Sequence, residues 1–176
     1  NTPEAWHRYV SLGQPGRPTT QRELRAIYGL WLLALILKLI GSTWDMAWHF
    51  RFLRDDFAPP HNINTVGTIM VVALVFFHTW TGLGIDRRSL RWVQAGIGTF
   101  LLAIPLDLIN HRLFGLDITA WSPTHMLLYV GTAIMLVGVI RGWLAQAEPN
   151  RLRVGFGMTL WVLFLENILF PLEQSE

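Results

Sequence analysis

Asp45 and His49 stand four residues apart, and His61 follows directly after Pro59-Pro60. The same order returns as Asp107, His111 and, after Ser122-Pro123-Thr124, His125. Carboxylate and imidazole are nitrogen and oxygen donors, and such groups rarely gather at the ends of apolar runs without a partner. Metal binding is the chemistry that this pattern suggests. The chain has no cysteine, which excludes disulfides, thiolate metal sites and cysteine-held iron–sulfur clusters.

Residues i and i+4 share one face of a helix, so Asp45 with His49, and Asp107 with His111, can converge on one ion. His61 and His125 belong to the opening turn of the next helix, which returns close to where its predecessor ended. Three such ligands leave positions open for water, oxygen or a substrate, as catalytic metal sites do. Neutral imidazole suits copper, zinc or iron. Asp56 and Asp117, in the two connecting loops, are expected to orient ligand histidines from outside, since ligating imidazoles commonly have carboxylate partners.

The elements that must hold these residues are apolar and long. Five runs, 27–49, 60–83, 92–111, 122–144 and 153–171, each approach the roughly 20 helical residues that cross a bilayer. The expected fold is an all-α integral membrane protein of five transmembrane helices. Two helix–loop–helix hairpins are repeated, spans one with two and three with four, and the fifth span has no counterpart. Residues 1–25 are read as a cytoplasmic or interfacial arm, 26–172 as the transmembrane metal-binding domain, and 173–176 as a short extracytoplasmic tail. Thr19-Thr20 followed by Glu23 marks a helix start. The polar opening does not resemble a cleavable signal, and the missing initiator Met hints at a trimmed start.

The pI is about 9.5, yet the arginines fall where membrane topology puts them. Arg8, Arg17, Arg22 and Arg25 precede the first span; Arg87, Arg88 and Arg91 follow the second; Arg141, Arg151 and Arg153 flank the fourth connection. The positive-inside rule then sets the N-terminus in the cytoplasm of a cell (inner) membrane and both histidine sets on the extracytoplasmic side. Nucleic acid is not expected as a partner; the lipid bilayer is.

Further polar residues lie within the spans. Glu166, beside Asn167, is a candidate hydrogen-bond partner, proton relay or extra ligand, and Lys38 a candidate ionic partner for it. His78 lies 17 residues past His61, about 25 Å along a helix, and no histidine matches its depth in the last three spans, so haem is not expected. Packing or an interfacial place suits His78 best. Trp44, Trp48 and Trp121 are candidate walls of the metal pocket; the other tryptophans suit an interfacial belt.

The stretch Asp45-Met46-Ala47-Trp48-His49 with Arg54-Asp55-Asp56-Phe57-Ala58-Pro59-Pro60-His61 resembles the C subunit of the particulate methane and ammonia monooxygenases. The motifs that match cover two segments of about 20 residues each, and the chain resembles a shorter, distant relative. The resemblance implies copper at Asp45, His49 and His61. It also implies a second set at Asp107, His111 and His125, with Asp107 where the family has asparagine, on the extracytoplasmic side. That departure adds a negative charge, and the loop between His49 and His61 is one residue shorter than in the family.

The expectation is a copper-binding membrane oxidoreductase subunit that carries out O2-dependent oxidation of a small apolar substrate, with zinc or iron ranked behind copper. Electrons would come from a quinol or a redox partner, and the assembly would be a homo-oligomer or include other membrane subunits. The alternatives are a non-catalytic copper-delivery protein and a structural subunit stapled by metal. Delivery proteins commonly use Met or Cys clusters, whereas Met46 and Met126 adjoin ligands without forming one.

Overall fold

The structure is a computed structural model and describes residues 2–49, 51–52, 58–114 and 121–173. Helices run in the order α1 (Thr2–Val10), α2 (Gln21–His49), α3 (Pro59–Thr81), α4 (Arg87–Phe114), α5 (Pro123–Gln146) and α6 (Arg151–Glu173). From α2 onward each is long and apolar enough to cross a membrane. The described residues form two compact units, divided between Gly84 and Ile85.

In the first unit α2 pairs with α3. Thr20 and Glu23 start α2 reciprocally: the Glu23 N–H donates to Thr20 Oγ1 at 3.3 Å and the Thr20 N–H to Glu23 Oε2 at 2.7 Å. These bonds satisfy donors that a helix start leaves open. Proline opens α3, where its missing N–H costs nothing. Gly82 ends α3 in the left-handed region, with φ 68°, and its N–H closes on the His78 carbonyl at 2.9 Å.

The arm is tied to that end. The Gly13 N–H donates to Trp80 O at 2.9 Å, the Trp80 indole N–H to Val10 O at 2.8 Å, and the Gly84 N–H to Thr19 Oγ1 at 2.8 Å. Arg8 pairs with Glu23 at 3.1 Å. Tyr9 donates to Glu23 Oε1 at 2.6 Å, and that bond to a carboxylate, aided by slight burial, holds the phenol above its ordinary pKa.

In the second unit α4 pairs with α5, and α6 packs on α5. Asp86 caps α4 by accepting from the Arg88 and Ser89 N–H groups at 3.1 and 3.3 Å. The Trp143 indole donates to Arg153 O at 2.9 Å, and Asn167 Nδ2 to Tyr129 O at 3.0 Å, so both ends of α6 are bonded to α5.

Burial follows the same order in both helix pairs. Tyr28, Trp31, Ala34, Leu35 and Lys38 are buried on α2; 62 residues further on, Leu90, Val93, Gly96, Ile97 and Phe100 are buried on α4. Pro60, Gly67, Val71 and Val75 on α3 correspond, 64 residues on, to Thr124, Gly131, Met135 and Val139 on α5. The two pairs also share a close approach. A Cβ on Gly67 would meet Ala34 O at 2.8 Å and Lys38 N at 3.0 Å; one on Gly131 would meet Gly96 O at 2.9 Å and Phe100 N at 2.7 Å. Small residues let helix backbones come together in this way.

Candidate metal centre

Each helix pair joins a carboxylate to an imidazole where its first helix ends and its second begins. In the first unit His61 Nε2 stands 2.7 Å from Asp45 Oδ1. In the second, His125 Nε2 stands 3.4 Å from Asp107 Oδ1. All four side chains are between 21% and 29% exposed, so a small ion or molecule can reach them without unfolding the helices. The spacing is 16 residues in one unit and 18 in the other, because α4 runs on to Phe114, well past Asp107, whereas α2 ends at His49.

These distances bear on whether a metal would fit. Two donors bound at about 2.1 Å lie about 3.4 Å apart at a tetrahedral angle and about 3.0 Å apart at a right angle. The second pair therefore already has tetrahedral donor spacing. The first, at 2.7 Å, is tighter than that by about 0.7 Å and would have to open to admit an ion. Both pairs direct Nε2, a usual metal-binding nitrogen, towards the carboxylate. Carboxylate oxygen and imidazole nitrogen are donors that copper and zinc both accept.

The second pair has an additional holder. Thr124 donates its hydroxyl to Asp107 Oδ1 at 2.6 Å, and Thr124 itself touches Ser122 Oγ at 3.3 Å. Pro60 occupies the matching place in α3 and has no donor to offer. Pro105, inside α4 two residues before Asp107, removes one rung of the helix ladder. At the corresponding place in α2, Thr43 returns its hydroxyl to Leu39 O at 2.9 Å.

His49 and His111 fall one turn beyond Asp45 and Asp107, within α2 and α4, and their side chains lie outside the described part of the structure. Asp56 and Asp117 lie outside the described residues altogether. Glu166 is half-buried on α6. Trp44 and Trp121 are 41% and 44% exposed, and Trp48 packs edge-on to Trp44 with ring centres 6.1 Å apart.

Lys38 has partners within its own helix pair. It is 7% exposed and donates to Asn64 Oδ1 at 3.3 Å and Thr68 Oγ1 at 3.0 Å. Asn64 Nδ2 in turn donates to Ser42 Oγ at 3.1 Å. These partners escape a reading of single residues. The available signal is their spacing: Ser42 lies three residues before Asp45 and Asn64 three after His61, each on the same helix face as its neighbour.

His78 is fully buried near the other end. Trp31 donates its indole N–H to His78 Nε2 at 2.9 Å, while Nδ1 lies 2.7 Å from Leu83 O. A carbonyl can only accept, so the proton sits on Nδ1 and the ring is a neutral packing element, stacked on Trp31 at 14°. Both nitrogens are engaged, which leaves none for haem iron.

Comparison with protein-family models, curated proteins and solved structures gave no match.

Proposed function

We propose that the chain is a copper-binding subunit of a membrane oxidoreductase and that its two helical hairpins are copies of one ancestral unit. The observation that carries the reading is the recurrence of one donor pair, carboxylate oxygen beside imidazole Nε2, at 2.7 Å and 3.4 Å in hairpins whose buried positions share one register. In this reading Asp45, His49 and His61 hold one ion, and Asp107, His111 and His125 another. The arginine distribution supports a cytoplasmic N-terminus, with both donor pairs at the extracytoplasmic face.

Copper bound there supplies one-electron redox chemistry with O2 as oxidant. For a small apolar substrate, one oxygen atom enters a C–H bond and the other leaves as water, with a quinol giving the electrons and protons that this requires. The protein's part is to hold the carboxylates and imidazoles at a membrane surface that substrates can reach from the lipid. Thr124 holds the Asp107 carboxylate by its hydroxyl.

Metal analysis of the purified protein tests the assignment. Copper content is expected to fall in His49→Ala and His61→Ala, and independently in His111→Ala and His125→Ala, while helix content stays unchanged. Unchanged copper in all four rejects it. Oxygen uptake by the copper-loaded protein with a quinol then separates catalysis from delivery.

A second reading has one observation in its favour. At 2.7 Å, Asp45 and His61 are already within the range of a charge-assisted contact, so the pair can clasp the hairpin without metal. Copper-free protein that matches the loaded form in melting temperature, and in which His61→Ala lowers it, supports that reading.

A further inference from the structure

Lys38 is the only lysine in the chain; the rest of its 14 basic residues are arginines. Arginine stays charged under all physiological conditions, whereas a lysine amine can give up its proton. Among the lysine and arginine side chains, the one able to do so is thus the one buried inside an apolar span, 7% exposed. A charge at that depth is costly, and such residues commonly mark pathways for ions or protons.

The surroundings lead from Lys38 towards the Asp45–His61 pair. Nζ donates to Thr68 Oγ1 and Asn64 Oδ1, and Asn64 reaches across to Ser42. Ser42 and Asn64 lie one helical turn from Asp45 and His61, and Lys38 lies seven residues from Asp45, about 10 Å along the helix. Glycines bring the walls together. A Cβ on Gly41 would lie 2.7 Å from Asn64 N, and one on Gly67 2.8 Å from Lys38 Cγ. In the other hairpin Lys38, Ser42 and Asn64 correspond to Phe100, Ile104 and Leu128, whose side chains can neither donate nor accept, while Thr68 corresponds to Thr132.

We infer that Lys38 is a proton-exchanging group coupled to the charge held at Asp45 and His61, by way of Asn64, Thr68 and Ser42. When a cation occupies the pair, Lys38 gives up its proton to the solvent. When that charge leaves or falls, the amine takes a proton back. The balance is one proton against one added positive charge, so the hairpin interior stays close to neutral. The other titratable groups of this helix pair lie towards the ends. Asp45, His49 and His61 are at one end; His78 on α3, with Arg22, Glu23, Arg25 and Tyr28 on α2, is towards the other. The inference rests on reading Asp45 and His61 as a cation site and assigns proton coupling to the first site alone.

A single lysine permits a direct test. Protein made with 13Cε-lysine and held in lipid nanodiscs has one labelled lysine, whose chemical shift reports the protonation state of Lys38. Zn2+, which is diamagnetic and has no redox chemistry, is the probe. One unit charge 10 Å away at an effective dielectric near 20 changes the proton affinity of Lys38 about tenfold, so saturating Zn2+, which brings two, should lower it about a hundredfold. Asp45→Asn removes one negative charge at the same place without metal and should weaken proton binding about tenfold. If Zn2+ does not bind, the cation reading fails by itself and Asp45→Asn alone decides for Lys38. A signal that titrates identically in all three samples, or never between pH 5 and 11, overturns the inference; a merely structural lysine behaves in that way.

Discussion

The two hairpins differ in chemistry at places where they share a close helix approach. Lys38 and Phe100 occupy one position of the shared register, each against a glycine of the partner helix. Trp31 stacks on His78 in the first, while the matching places in the second hold Val93 and Gly142. At the donor pairs the contrast reverses. The second carboxylate is pinned by Thr124 at 2.6 Å, and Pro60 offers the first no such bond. Close backbone approach is therefore the constant feature, and the chemistry carried on it varies. One hairpin has Lys38, Ser42 and Asn64 beneath a tight Asp–His pair, and the other Phe100, Ile104 and Leu128 beneath a wider pair whose carboxylate is fixed.

Replacing the shared glycines should have the largest effect and is the way to break the comparison. Gly67→Leu and Gly131→Leu each force a side chain into backbone less than 3 Å from the new Cβ. Overpacking of this kind costs roughly 1–3 kcal/mol or more, and here neither neighbour is a flexible chain end alone. Both variants should lose several degrees of melting temperature in detergent, by similar amounts. A large loss in one with none in the other would show that the hairpins do not share a packing register.

Thr124→Val should have an intermediate effect, confined to the second hairpin. It keeps the shape and removes the donor that holds Asp107 Oδ1. A lost hydrogen bond to a charged group typically costs about 1.5–3 kcal/mol, reduced here because the carboxylate is 21% exposed. Copper affinity of the second site should fall while that of the first is unchanged, as read by metal titration against His61→Ala and His125→Ala backgrounds. Equal loss at both sites would mean that Thr124 has no special hold on Asp107.

How much of this could be read from the sequence depends on the length of chain involved. Apolar runs near 20 residues give five helices, because span length is fixed by the bilayer and needs no tertiary information. The Asp45–His61 and Asp107–His125 pairings were legible as well, since a short connection between antiparallel helices leaves few other places for the second histidine. The partners of Lys38 were not. Whether a lysine at mid-span turns to Glu166, to lipid or to Asn64 depends on helix rotation, and rotation is set by glycines such as Gly41 and Gly67. Single residues do not reveal that their Cα hydrogens face another backbone. The same holds for Trp31 and His78, 47 positions apart, whose meeting depends on the pairing of α2 with α3. The tightly placed Thr124 hydroxyl was written in the motif but needed a coordinate to gain a role.

The smallest expected effect concerns how the two hairpins begin. Thr20 and Glu23 start α2 by a reciprocal pair of bonds, whereas Asp86 starts α4 alone and lies 4.0 Å from Arg141. Burial works against the Asp86 charge. The Ser89 hydroxyl and N–H, the Arg88 N–H and the Arg141 guanidinium outweigh it, so the carboxyl stays below its usual pKa. A depressed carboxyl stabilises the folded state at pH values above the unfolded pKa, near 3.9, and that stabilisation is lost as pH falls through the folded value. Asp86→Ala should therefore cost about 1 kcal/mol at pH 7, the usual worth of an N-cap. The difference from wild type should shrink below pH 4. Thr20→Ala, tested in the same way, removes a hydroxyl with no charge of its own. If both variants lose the same stability at every pH, the two helix starts differ in sequence alone and the Asp86 charge has no part in holding α4.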